Sequence, residues 1–106
     1  MVNLERLEEN ILKEINKLRN LGEHSRKGSD HLYYRSNSKF EPGELKEVRR
    51  QKKVVYEIIC IYDIYTETEF LHTPEMDELY TENYKDKFVF DKDFKLLEIQ
   101  DIRKNH

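Results

Sequence analysis

Apolar residues recur along the first twenty-one positions at spacings of three and four: Leu4, Leu7, Ile11, Ile15, Leu18 and Leu21. That spacing places them on one side of a 3.6-residue turn and predicts an amphipathic helix over 3–21. Asn3 has a side-chain oxygen suited to cap its start, and Gly22 suits a left-handed stop. Glu9 precedes Lys13 by four positions, the favourable order for an exposed ion pair. The stripe is under three heptads long, so a core-facing helix is expected ahead of a dimer seam.

The period then changes from helical to alternating. Residues 54–66, VVYEIICIYDIYT, are rich in β-branched and aromatic side chains and predict a central strand. Val54, Tyr56, Ile58, Cys60, Tyr62 and Ile64 share one face, and Val55, Glu57, Ile59, Ile61, Asp63 and Tyr65 share the other. Residues 31–40 alternate loosely as a further strand, and Pro42-Gly43 marks a turn. Residues 44–53, ELKEVRRQKK, fit either a short helix or the charged half of a strand. Thr73-Pro74-Glu75, followed by Met76, Leu79, Tyr80 and Tyr84, predicts a short second helix over 74–84. Residues 87–102 form two strands bent at Asp91-Lys92-Asp93, a hairpin.

These elements predict one α+β domain spanning 1–106, with the first helix packed on a curved antiparallel sheet of about four strands. In order of elements the layout resembles cystatin-like and NTF2-like domains; the likeness is one of layout and carries no motif.

Composition narrows the setting. Cys60 is the single cysteine, so no internal disulfide forms, and its apolar neighbours point to a buried, inert thiol. Unpaired cysteine usage and the charged, interrupted N-terminal stretch predict a cytoplasmic protein with no signal peptide and no membrane partner. The lack of Ala and Trp, with abundant Lys, Ile, Asn and Tyr, is the mark of an AT-rich genome. A phage or other mobile element is one such source.

Charge is unevenly spread. Residues 19–53 carry a net +5 and residues 54–106 a net −7, within an overall −3. Catalytic signatures are missing. Gly22, Gly28 and Gly43 are too scattered to cradle a phosphate, and no Gly-x-Ser-x-Gly elbow occurs. His24, Asp30, His31 and His72 lack metal-ligand spacing. Among acidic residues, Asp63, Glu67 and Glu69 read as exposed strand positions, and turn geometry accounts for Asp91 and Asp93. No enzyme activity, cofactor or metal is therefore expected.

Two binding readings remain. Arg26, Lys27, Arg35, Arg49, Arg50, Lys52 and Lys53, interleaved with Tyr33 and Tyr34, are a candidate nucleic-acid contact within 24–53. The acidic pI of about 5.8 weighs against it. The favoured expectation is a non-catalytic protein-binding or regulatory module, of inhibitor type, with Tyr65, Tyr80 and Tyr84 as exposed contacts to an unidentified protein. A homodimer through the helix 3–21 is the further option, and Tyr56 and Phe88 are expected in the core.

Overall fold

Asn3 opens the helix as expected: its Oδ1 accepts a hydrogen bond from the Arg6 backbone N–H. In the computed structural model, which describes residues 3–25, 31–70 and 78–103, helix α1 spans Leu4–Leu18. Its end differs from expectation. Asn20 takes the left-handed conformation at φ 53°, and Gly22, at φ 115°, leads directly into a strand. The apolar stripe buries Leu7, Ile11 and Ile15, leaving Leu4, Leu12 and Leu18 exposed.

The other regular elements of the described chain are strands. β1 spans Gly22–Ser25, β2 His31–Pro42, β3 Lys46–Arg50, β4 Lys53–Phe70, β5 Glu78–Phe90 and β6 Leu96–Asp101. All pairs are antiparallel, in the order β1-β2-β4-β5-β6, with β3 continuing beside β4 where β2 stops. The sheet is curled, with the helix on its inner face. None of the described helices is long and apolar enough to cross a membrane.

Six strands replace the expected four or so because β4 is eighteen residues long and organises neighbours along its whole length. Residues 44–53 resolve as strand: Lys46–Arg50 pair with Lys53–Glu57 through a turn whose central residues, Gln51 and Lys52, both have positive φ. Gly43 separates β2 from β3. Its N–H donates to the Ile59 carbonyl at 2.7 Å, and a Cβ at this position would meet the same oxygen at 2.7 Å.

The second helix expected over 74–84 is not formed where the chain is described. Residues 78–84 belong to β5, paired residue by residue with Tyr62–Thr68, and 71–77 lie outside the described residues. Leu79, Tyr80 and Tyr84 fit a helical stripe, yet Tyr80, Glu82, Tyr84, Asp86 and Phe88 also alternate. The unsatisfied backbone edge of β4 decides between them, because it offers each residue of β5 a ladder partner. The hairpin at Asp91 forms as expected, with Asp91 Oδ1 accepting from the N–H groups of Asp93 and Lys95.

The predicted division of β4 into two faces holds from Ile58 to Ile64, while at its start Val55 of the outer face is buried and Val54 of the inner face only half-buried. Ile58, Cys60, Tyr62 and Ile64 are buried on the inner face with Leu7, Ile11, Ile15, Tyr84, Phe88 and Phe90, and Tyr56 packs against them at the margin. On the outer face Val89 is also buried, between Glu57 and Glu98 in register. Arg50 donates to both carboxylates, and Lys87 pairs with Glu57, so the stems of these ions roof the valine.

Core packing stops short of the sheet's end. From Glu67 to Phe70 every residue is half-buried, and Glu78 to Thr81 are exposed. This far end of β4 therefore forms an arm with β1, the start of β2 and the start of β5, and among the described residues no second layer covers it. The molecule measures 59 × 29 × 22 Å with a radius of gyration of 17.2 Å, against roughly 13 Å for a compact chain of this length.

Candidate functional site

Two regions of the sheet hold concentrated polar chemistry: a sealed cluster under the helix end, and the open arm beyond it.

The sealed cluster is built on Asp86, an inward position of β5 beside Cys60. Asp86 is fully buried. Its Oδ2 accepts from the Tyr62 hydroxyl in a short hydrogen bond and from Arg19 Nη2 at 3.1 Å, while Oδ1 has no hydrogen-bond partner. Arg19, the residue after α1, also donates Nε to the Tyr62 oxygen at 3.0 Å and lays its guanidinium over the Tyr84 ring at 3.7 Å. Burial, followed by the bond to Asp86, pushes the Tyr62 hydroxyl well above the ordinary tyrosine range.

A second tier extends the cluster towards the arm. Arg35 donates Nε to the Arg19 carbonyl, capping the helix end, and Nη1 to Glu82 and Thr66. The Tyr84 hydroxyl donates to the other Glu82 oxygen at 2.6 Å. That bond first, and the Arg35 charge after it, hold the Glu82 carboxyl below its usual range. Arg103 lies over the Tyr84 ring and pairs with Asp101.

Tyr62 and Asp86 are closed from solvent and Tyr84 nearly so, which leaves a substrate no direct approach to the carboxylate. The arrangement fastens the helix end to the sheet. Tyr84 is thus corrected from an exposed contact to a core residue: its inward register opposite Tyr62 stacks the two rings, with centroids 5.4 Å apart. The sequence reading missed Arg19, Glu82 and Asp86. The alternation through 80–88 was the signal for Glu82 and Asp86, and a helical reading of 74–84 conceals it.

The arm presents different chemistry. On its outer face Tyr34 lies between Glu23 of β1 and Glu67 of β4, and Tyr65 stands between Ser36 and Thr81. Asp63, Glu67 and Glu69 alternate along β4 on this face, and Leu79 of β5, opposite Glu67, is 62% exposed. Asp63 accepts from the Asn83 amide at 2.7 Å. Glu23 above all, with partial burial and then Glu69 and Glu67, raises the Tyr34 hydroxyl above its usual range. On the inner face His24 stacks on Tyr33 at 5.0 Å and donates Nε2–H to the Asn20 carbonyl, and Tyr80 is exposed.

The described basic residues of 24–53 do not gather into one stripe. Arg26 and Lys27 lie outside the described residues. Tyr33 and Tyr34 point to opposite faces, and Arg35 is held by Glu82. Arg50 is held by Glu57 and Glu98. Arg49, Lys52 and Lys53 are exposed at the β3–β4 turn. Register places Tyr34 opposite Glu67 and Arg49 opposite Val54, thirteen positions apart along β4, or roughly 40 Å at about 3.3 Å per residue.

Cys60 is buried as expected, and burial pushes its thiol up to about 12. Among the described residues no group of three His, Cys, Asp or Glu is placed to hold a metal. No protein-family model, characterised protein or solved structure matches the chain.

Proposed function

We propose that this chain is a non-catalytic protein-docking module whose contact surface is the outer face of the arm. The observation carrying this reading is the uncovered sheet itself. A single layer of four strands presents Tyr34, Tyr65 and Leu79 among Glu23, Asp63, Glu67 and Glu69. A sheet ordinarily buries at least one face against another layer. A partner supplying that layer would dehydrate the aromatics, and the surrounding carboxylates would select for basic groups. Tyr65 and Tyr80 remain contact candidates, on the outer and inner faces respectively.

The test is affinity capture from the native host with the tagged chain and with Tyr34→Ser plus Leu79→Ser. A partner retained at stoichiometric level by the parent and lost by the variant supports the reading. A partner held equally by both, or nuclease-sensitive recovery alone, overturns it.

Among the described residues the nucleic-acid reading rests on the exposed Arg49, Lys52 and Lys53, whose distance from Tyr33 and Tyr34 separates phosphate contact from base stacking. Its test is a gel shift at low salt with Lys52→Glu plus Lys53→Glu.

A further inference from the structure

Some charged residues of the sheet neutralise one another, as Arg50, Glu57, Lys87 and Glu98 do near the β3–β4 turn. Others do not. Glu23, Glu67 and Glu69 on the arm have no ion-pair partner among the described residues, and neither have Arg49, Lys52, Lys53, Lys92 and Lys95 at the opposite end.

That basic end is also grooved. The β3–β4 and β5–β6 turns border a cavity of about 580 Å³ lined by Val54, Val55 and Leu97 together with Lys52, Lys53 and Lys92. Leu97 is 55% exposed. Asp91 and Asp93 also line it, but Asp91 is engaged in its own turn. The groove offers apolar contact beside three ammonium groups, which outnumber the carboxylates of Asp91 and Asp93. The arm offers the converse: Tyr34 and Leu79 raised among carboxylates.

The two surfaces cannot meet within one molecule. Lys53 and Glu67 stand at opposite ends of one continuous strand, fourteen positions apart, or roughly 45 Å at about 3.3 Å per residue. That is several times the Debye length of about 8 Å at physiological salt, so neither end feels the other.

We propose that the chain associates head to tail with itself, the lysine-edged groove of one copy docking on the outer face of the arm of the next. The proposal names the partner of the docking surface described above and rests on that reading. Contact between two different surfaces is heterologous, so it propagates into a ring or an open filament. Each junction covers a part of the sheet that the described residues of a single copy leave bare, and it juxtaposes charges that have no ion-pair partner among the described residues.

Sedimentation velocity of the full chain across a concentration series tests this. Species larger than a monomer should form at about 0.05 M salt, and association should weaken by roughly tenfold or more at about 0.5 M, where the Debye length falls to a few ångströms. Glu67→Lys plus Glu69→Lys should be monomeric at low salt, as should Lys52→Glu plus Lys53→Glu. Mixed together, the two variants should associate again, which also shows that both are folded. A parent chain that stays monomeric at low salt overturns the proposal. So does association that is insensitive to salt, or a mixture that stays monomeric. If the parent is monomeric yet still captures a host protein through Tyr34 and Leu79, self-association fails and the docking module stands.

Discussion

The guanidinium of Arg19 reaches from the end of the helix to the buried carboxylate of Asp86, Nη2 to Oδ2 3.1 Å, across sixty-seven positions of sequence. No other ion pair of the described residues has a partner so completely withdrawn from solvent. The pair joins the helix to β5, the fourth strand of the sheet in its spatial order, and Tyr62 completes it with bonds to both.

Removing one member should be costly. Arg19→Ala leaves Asp86 buried with an already unpartnered Oδ1, and a loss of about 3–5 kcal/mol is expected from an uncompensated buried charge. Urea unfolding followed by far-ultraviolet circular dichroism measures it. The triple change Arg19→Met, Tyr62→Phe and Asp86→Leu should recover most of that loss, since well-packed apolar groups avoid the desolvation of the ions.

Stability should fall in acid through Glu82 and Asp101. Both carboxyls are lowered in the fold, Glu82 first by the Tyr84 hydroxyl and Asp101, to about 2, first by the Arg103 side chain. A lowered native value means that the unfolded chain takes up the proton more readily. The contribution is complete above the ordinary carboxylate range near 4 and is lost as pH falls through the native values. Urea midpoints between about pH 5 and pH 2 should therefore drop, and Glu82→Gln should make the upper part of that drop shallower.

The thiol of Cys60 should be silent in the native state. It is fully buried and raised to about 12, so almost no thiolate exists near neutrality. Reaction with an aromatic disulfide reagent should be absent from the folded chain and should appear in step with urea unfolding. Prompt native labelling would show that the strand beneath the helix opens.

The turn between β3 and β4 can be improved. Gln51 and Lys52 hold φ of 51° and 67°, values that side chains with a Cβ adopt reluctantly. Gln51→Asn with Lys52→Gly provides the residues that two-residue hairpin turns favour, and should raise stability by about 1 kcal/mol. Thermal unfolding reads the change. The same variant loses one ammonium group of the docking groove, so its self-association should weaken while its melting temperature rises.

Much of the scaffold was legible from local pattern. Leu7, Ile11 and Ile15 announce a buried helix face, and the alternation from Ile58 to Ile64 sorts β4 into inner and outer residues that match their burial. Asn3 and Asp91 act where their side chains can satisfy nearby backbone groups. Each of these signals is contained within a few neighbouring residues.

Residues 78–84 show where local pattern ends. Their apolar positions suit a helix and a strand alike, and β4 settles the matter by presenting an edge long enough to pair them all. The same pairing turns Tyr84 and Asp86 inward, beneath an arginine far away in sequence, and so assembles a cluster that no motif records. Segment charge, +5 against −7, was visible along the chain. Its arrangement in space was not, because antiparallel pairing brings Arg35 within reach of Glu82 and Arg50 within reach of Glu57 and Glu98, and leaves other charges with no ion-pair partner among the described residues. Period and capping are properties of a segment; register, burial and the sorting of charge are properties of the sheet that the segments build together.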